Sequence, residues 1–289
     1  VSPDCESGIG RLAGWMQTID SGGFMAKSLA LPAAQDHRFM TASPINAELP
    51  ALLADAIAAT ITPTATDSAM IDRLLGDLRN LSCRPTPPQS RDRHSGDPPA
   101  SISRYLPSLA AAMPSTPAAT ALRPLFDRVD WYQIFDGADI PGNLATGLVA
   151  GQIIGGRGLL TSGDLYLGLF LLAPQVTYPL HQHASLEIYC VLSGAVSIRH
   201  GRAKPAQRIQ AGGHSVTPPH QVHELQTDDE ACLIAYIWTG DLTGENWWWE
   251  EQPDGGWDRV CWQRQADSSW KVTHREPLSP AEIARSGDK

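Results

Sequence analysis

The chain has 289 residues, enough for one large domain or two modest ones with a core that needs no covalent staples. Apolar residues at 42% and charged residues at 18% exclude wholesale disorder. A net charge of −9 argues against general affinity for nucleic acid or an anionic membrane, since both need clustered positive charge.

Asp4, Glu6, Arg11 and Asp20 break up the first residues, so no secretory leader is read there and a cytoplasmic setting is expected. Helical periodicity begins with an Ala- and Leu-rich stretch, Leu49 to Ile61, stopped by Pro63. A second helix carries Met70, Ile71, Leu74, Leu75, Leu78 and Leu81 on one face, with Asp67 as its cap. Arg84 to Ala100, with five Pro and almost nothing apolar, reads as a mobile linker or exposed loop. Two more helices fit Ser103 to Met113 and Pro117 to Val129, the latter capped by Ser115 or Thr116.

The composition then changes. All five Met lie at or before Met113, whereas eight of nine Trp lie at or after Trp131 and seven of nine His at or after His181. Short runs of Val, Ile, Leu, Tyr and Trp alternate with Gly and Pro: LYLGLFLLA from Leu165, EIYCVLSG from Glu187, AVSIRHG from Ala195 and CLIAYIWTG from Cys232. Such runs predict an antiparallel sandwich or barrel. WDRVCWQRQ and SSWKVTHRE predict a last hairpin across Ala266–Asp267–Ser268. The triplet Trp247–Trp248–Trp249 either covers the barrel or sits in a subunit interface, the second option leading to a homodimer. The uncharged stretch from Leu165 to Leu186 has the length of a membrane span, but Pro174, Pro179, His181 and His183 exclude that reading. Five widely spread cysteines without a CxxC pair read as reduced thiols, with Cys190 and Cys232 buried.

The decisive segment is TYPLHQHASLEIYCVLSG, from Thr177 to Gly194. On an uninterrupted strand, His181, His183, Glu187 and Tyr189 share one face. AGGHSVTPPHQVHEL supplies His223 from a second segment. Three imidazoles and a carboxylate form a credible divalent-metal site, suited to Fe, Mn, Zn, Ni or Co, with positions left for water or substrate. His200, His214 and His220 read as structural or exposed, and His37, His94 and His274 carry no pattern.

His181, His183, Glu187 and Gly194 match the first cupin motif, and Gly212, Pro218 and His223 the second. Two positions depart from the pattern: His220 stands where the motif usually has Gly, and Thr227 where it usually has Asn. The resemblance implies a mainly β chain, with a single cupin domain (a small antiparallel barrel or jelly roll) preceded by a helical region. The division expected is 1–125 for the helices and linker, and 126–289 for the barrel and its C-terminal hairpin.

The flanks, from about Leu122 to Leu242, resemble the bacterial cupin-type dimethylsulfoniopropionate lyases. The likeness includes DWYQ at Asp130, GQIIGGRGLL, the Tyr two residues after Glu187, and AYIWTGDL. It implies β-elimination of a small zwitterionic sulfonium to acrylate and dimethyl sulfide, with one divalent transition metal per chain. A base must remove the proton next to the carboxylate. Tyr, with a free pKa of about 10, can do so once a cation lowers it. Tyr189 is the first candidate, as the family implies. Tyr178 is the second, assigned chiefly to substrate binding. Aromatic faces attract a sulfonium, and Trp238, Tyr236, Tyr166 and Trp131 are the candidates for that wall.

Two alternatives stand beside this reading: another metal-dependent cupin enzyme, such as a dioxygenase or sugar isomerase, and a non-catalytic cupin binding protein. The absence of Lys and Arg from Leu165 to Val196 disfavours a sugar-phosphate substrate. The lack of a basic recognition helix disfavours a DNA-linked sensor.

Overall fold

The computed structural model describes residues 45–87, 97–138, 140, 142–265 and 270–288. In chain order the elements are α1 Leu49–Ala58, α2 Ser68–Arg79, β1 Arg84–Pro85, α3 Ala100–Ala112, α4 Pro117–Leu122, β2 Trp131–Gln133, α5 Leu144–Gly147, β3 Leu148–Ile154, β4 Leu160–Thr161 and β5 Leu165–Leu172. There follow β6 Thr177–Gln182, β7 Ser185–Ser193, β8 Ala195–Arg199, β9 Gln207–Gln210, β10 His214–Thr217, β11 His223–Gln226, β12 Cys232–Gly240, β13 Asn246–Glu251, β14 Trp257–Arg264, β15 Trp270–Pro277 and α6 Pro280–Arg285.

The helices form where the apolar spacing places them, with local differences. α1 and α2 bury Leu53 and Ile57, and Ile71, Leu74, Leu75 and Leu78, as amphipathic faces. Asp67 stands at the start of α2 but does not cap it. Its Oδ1 accepts from the Thr64 backbone N–H at 2.6 Å, closing the preceding turn. The last helix is shorter than the sequence pattern suggests. Thr116 caps α4 by accepting from the Ala119 N–H, but Pro124 lacks the N–H that a continuing helix needs, and Arg123–Leu125 tightens to a 3-10 turn. Arg84–Pro85 is exposed, as the linker reading expects, but it is tied down. It pairs with β4, and Thr86 is buried with its hydroxyl 2.7 Å from that of Thr161. Residues 88–96, the centre of that Pro-rich stretch, lie outside the described residues, as do residues 1–44.

The strands form two antiparallel-dominated sheets. The first runs β1-β4-β3-β5-β12-β7-β10, with β2 added on β3; the second runs β15-β14-β13-β6-β11-β8-β9. The sheets lie as a jelly roll, not a closed hydrogen-bonded barrel, and the mainly β cupin fold with preceding helices is otherwise as expected. β14 and β15 pair as the anticipated hairpin.

The first sheet is buried on both faces, which explains its nearly continuous apolar strands. In β7, Ile188, Cys190 and Leu192 face a core built with α1 to α4, while Tyr189 and Val191 face the interior between the sheets. β5 and β12 divide in the same way. The helices and this sheet therefore share one apolar layer. Gly194 makes the sharp turn out of β7: its φ is +74°, and a Cβ there would come 2.3 Å from the Ala231 carbonyl oxygen. Trp247–Trp249 lie within the second sheet, where Trp248 faces the interior and pairs with His181. Trp249 packs on the other side of the sheet with Leu180 and Val222, so the triplet is part of the jelly roll's wall. Cys83, Cys190, Cys232 and Cys261 are free thiols, and Cys190 and Cys232 are buried. Among the described residues no helix is long and apolar enough to cross a membrane.

Candidate metal centre and active site

Three imidazoles converge between the sheets. His181 comes from β6, His183 from the turn after it, and His223 from the start of β11. One ring nitrogen from each lies within 4.8 Å of the other two, and all three residues are buried. His181 and His223 face each other directly in the β6–β11 ladder. The uninterrupted strand of the sequence reading is not what aligns these groups. The chain leaves the second sheet at His183 and Ala184 and enters the first at Ser185. His181 and Glu187 therefore approach the centre from opposite sheets.

Local hydrogen bonds fix how each ring presents itself. His181 Nδ1 lies 2.7 Å from the Pro179 carbonyl oxygen, and His223 Nδ1 lies 3.0 Å from that of Gln221. His183 Nδ1 lies 3.2 Å from the Ser185 carbonyl oxygen and 2.9 Å from its hydroxyl. A backbone carbonyl can only accept, so Nδ1 of His181 and of His223 carries the proton and their Nε2 atoms turn a lone pair inward; His183 Nδ1 also meets the Ser185 hydroxyl, which can donate to it, and its Nε2 faces Glu187. His223 Nε2 is buried and makes no hydrogen bond. Burial, reinforced by the neighbouring His223 and His183, holds His181 well below the usual imidazole range, in the neutral form a ligand requires. This donor set fits a divalent transition metal.

Glu187, fully buried, adjoins two of the three imidazoles. Its Oε2 lies 3.0 Å from His183 Nε2 and 3.3 Å from His223 Nε2. Burial opposes its ionisation, but the neighbouring contacts, led by the one with His183, outweigh burial and hold the carboxyl well below its usual range. Its other oxygen accepts the indole N–H of Trp238, the residue paired with it across β7 and β12. Trp238 also lies over His183, with ring centroids 4.5 Å apart. A residue expected only as an aromatic wall thus orients the carboxylate as well.

Tyr189 is fully buried, and its hydroxyl has no hydrogen-bond partner. Burial, then the Glu187 charge, pushes its pKa well above the ordinary phenol value. Tyr178 stacks on His181 at a centroid distance of 3.8 Å, and its oxygen accepts from Asn246 Nδ2 at 3.1 Å. Strand alternation alone would put Tyr178 and His181 on opposite faces. The ladder shifts between Tyr178↔Leu225 and His181↔His223, so three steps on β6 face two on β11. This bulge, at Pro179–Leu180, brings both rings inward.

Tyr236 lies beside Tyr189 across β7 and β12 and stacks on Phe170 at 4.1 Å. It needs Gly168 opposite, where a Cβ would approach the Tyr236 hydroxyl to 2.6 Å. Tyr166 pairs with Trp238 at the partly exposed edge of this aromatic cluster. Trp131 is not in the site. It packs in the helix-side core and donates its indole N–H to the Phe126 carbonyl. Its neighbour Tyr132 is the inward-facing residue of β2, since side chains alternate along a strand. Asn246 and Phe135 were not singled out in the sequence, and Trp248 only as part of the tryptophan triplet, not as a site residue. Phe135 makes edge contacts with Tyr178 at 5.6 Å and with Trp248 at 5.2 Å. For Asn246 and Trp248 a signal existed: they alternate along NWWWEE.

His220 explains one departure from the motif. Its φ is +63°, the left-handed conformation a glycine adopts freely, and its N–H donates to the His183 carbonyl at 2.8 Å. His220→Gly should therefore raise stability by about 1 kcal/mol. Thermal unfolding with metal content unchanged would check this; a lowered Tm would show that the imidazole contributes more than its backbone strain costs. Thr227 replaces the other motif residue by bridging a turn: its Oγ1 donates to the Ala173 carbonyl at 2.6 Å and accepts from the Val176 N–H at 3.0 Å.

With this geometry in hand, a family model described as dimethylsulfoniopropionate lyase matches residues 77–234, more than half of the chain. The chain belongs to the dimethylsulfoniopropionate lyase family. A Cereibacter sphaeroides protein, provisionally named dimethylsulfoniopropionate lyase DddL, is 33% identical over 122 residues, covering 42% of this chain and 50% of that protein. The chain thus spans half the length of that relative. Dimethylsulfoniopropionate lyase DddQ of Ruegeria pomeroyi is 27% identical over 150 residues, covering 50% of this family member and 71% of DddQ. The crystal structure of DddQ superposes with a TM-score of 0.49 at 21% identity, covering 66% of this chain and 95% of that one. The family match takes in His181, His183, Glu187, Tyr189 and His223, but ends before Trp238 and Asn246.

Proposed function

We propose that this family member is a metal-dependent carbon–sulfur lyase. It cleaves dimethylsulfoniopropionate to acrylate and dimethyl sulfide, with His181, His183, Glu187 and His223 as ligands. The observation that carries the reading is the set of three imidazoles whose Nδ1 atoms all face backbone carbonyls, beside a buried tyrosine hydroxyl with no partner. A bound divalent cation would supply Lewis-acid stabilisation of the substrate carboxylate and favour a phenolate nearby.

Tyr189 takes the proton from the carbon next to the carboxylate. The electron pair of that C–H bond becomes the new double bond, the carbon–sulfur bond breaks, and its electrons leave with neutral dimethyl sulfide. Tyr178, held by Asn246 and His181, positions the substrate. Tyr236, Trp238 and Tyr166 offer aromatic faces to the sulfonium. The absence of Lys and Arg from Leu165 to Val196 suits a substrate that brings its own positive charge. Glu187 stays ionised through Trp238 and His183, so it serves as a ligand and leaves the base role to the phenol.

Headspace measurement after adding dimethylsulfoniopropionate to metal-loaded protein tests the reading. Dimethyl sulfide and acrylate should appear in equal amounts. Metal-loaded protein that releases neither would remove the lyase assignment.

A further inference from the structure

Leu278 to Asp288 crosses the outer side of the second sheet, behind the strands that carry the histidines. Leu278 and Ile283 pack on Leu180, Val222 and Trp249. The Ser286 carbonyl accepts the Val222 N–H at 3.1 Å, and Gln182 Nε2 donates to Glu282 at 3.5 Å. Asp288 is only 3% exposed. It accepts the Arg202 backbone N–H at 2.8 Å, and Arg202 Nε also donates to it. The Arg202 guanidinium lies over Trp257 at 5.3 Å, so the anchor is itself packed.

Most of the residues gripped on β6 and before β11 adjoin a histidine of the centre. Leu180 and Gln182 flank His181, Gln182 precedes His183, and Val222 precedes His223. Gln221, whose carbonyl fixes His223 Nδ1, packs against Gly287, where a Cβ would come 2.4 Å from Gln221 Oε1.

We propose that Leu278–Asp288 is a positioning clamp for the metal centre: anchored by buried Asp288, it holds the outer sides of β6 and of the turn before β11, and so sets the spacing of the three histidines. The physical reason is preorganisation. A site held within about 0.5 Å of its bound geometry spends none of its binding energy on ordering the ligands. The clamp rests on the reading of His181, His183 and His223 as ligands.

The test uses Asp288→Asn and Ile283→Ala, with Ile71→Val in α2 as a control that lowers stability on the far side of the first sheet. Cobalt(II) affinity is measured by competition with a chelating dye, alongside the visible cobalt absorption band and Tm. Both clamp variants should lose about tenfold or more in cobalt affinity, the usual scale for groups that orient metal ligands, and their band should change. Ile71→Val should melt lower yet keep wild-type affinity and spectrum. Unchanged affinity in both clamp variants, or an equal loss in Ile71→Val, would overturn the clamp while leaving the metal site standing. A wild-type protein that binds no cobalt would overturn the metal reading and the clamp with it. Ile283→Ala trims only a partly buried side chain, so it answers the question even if Asp288→Asn does not fold.

Discussion

Tyr189→Phe is expected to keep fold and metal uptake yet lower dimethyl sulfide release about a hundredfold or more, the usual scale for loss of a general base. The substitution removes one oxygen from a fully buried ring whose hydroxyl has no hydrogen-bond partner. No partner is orphaned, so Tm should hold or rise. That separates catalysis from stability: a structural tyrosine would show the opposite pattern, with little change in turnover and a loss in Tm. Tyr178→Phe is the comparison. It orphans Asn246 Nδ2, and should raise KM more than it lowers kcat. Measuring both constants, metal content and Tm for the two variants decides between the tyrosines. Near-normal turnover in Tyr189→Phe would transfer the base role to Tyr178.

The second large effect concerns the metal. Purified protein should hold close to one divalent ion per chain, and His223→Ala should lose most of it. One ligand of four is then missing, and the space it leaves admits water beside Glu187. Elemental analysis of the two proteins prepared side by side is the measurement. Full metal retention in His223→Ala would strike this histidine from the ligand set.

Much of this molecule is legible in its sequence, for identifiable reasons. Apolar residues at helical spacing marked α1 and α2, and β-branched and aromatic runs between Gly and Pro marked β5, β7, β8 and β12. The histidines and Glu187 stand at motif spacings that survive whatever the intervening chain does. Parity was a weaker guide. It placed His181 and Glu187 on one continuous strand, whereas the chain changes sheets at His183 and Ala184. It could not foresee that a bulge at Pro179 turns Tyr178 inward, because a bulge is a property of two strands and only one is visible in a local pattern. Trp131 falls on the helix side of β2 for a related reason: which face of β2 meets the helices depends on where those helices pack. The contacts of Leu278–Asp288 with β6 and with the turn before β11 join residues from about sixty to about a hundred positions apart, and no periodicity reports them.

The two-sided burial of β7 has a consequence for how this family member can drift. Along Ser185–Ser193 every residue is buried. Those facing the interior, including Glu187, Tyr189 and Val191, answer to chemistry; those between them, Ile188, Cys190 and Leu192, answer to the fit of the helical layer. No position on the strand is spare, so substitutions compatible with function must be paired with changes in α1 to α4 or confined to nearly isosteric exchanges. β15 is mostly exposed and is free to vary. The history of the strand that carries Glu187 and Tyr189 is thereby tied to the helices packed on its other face.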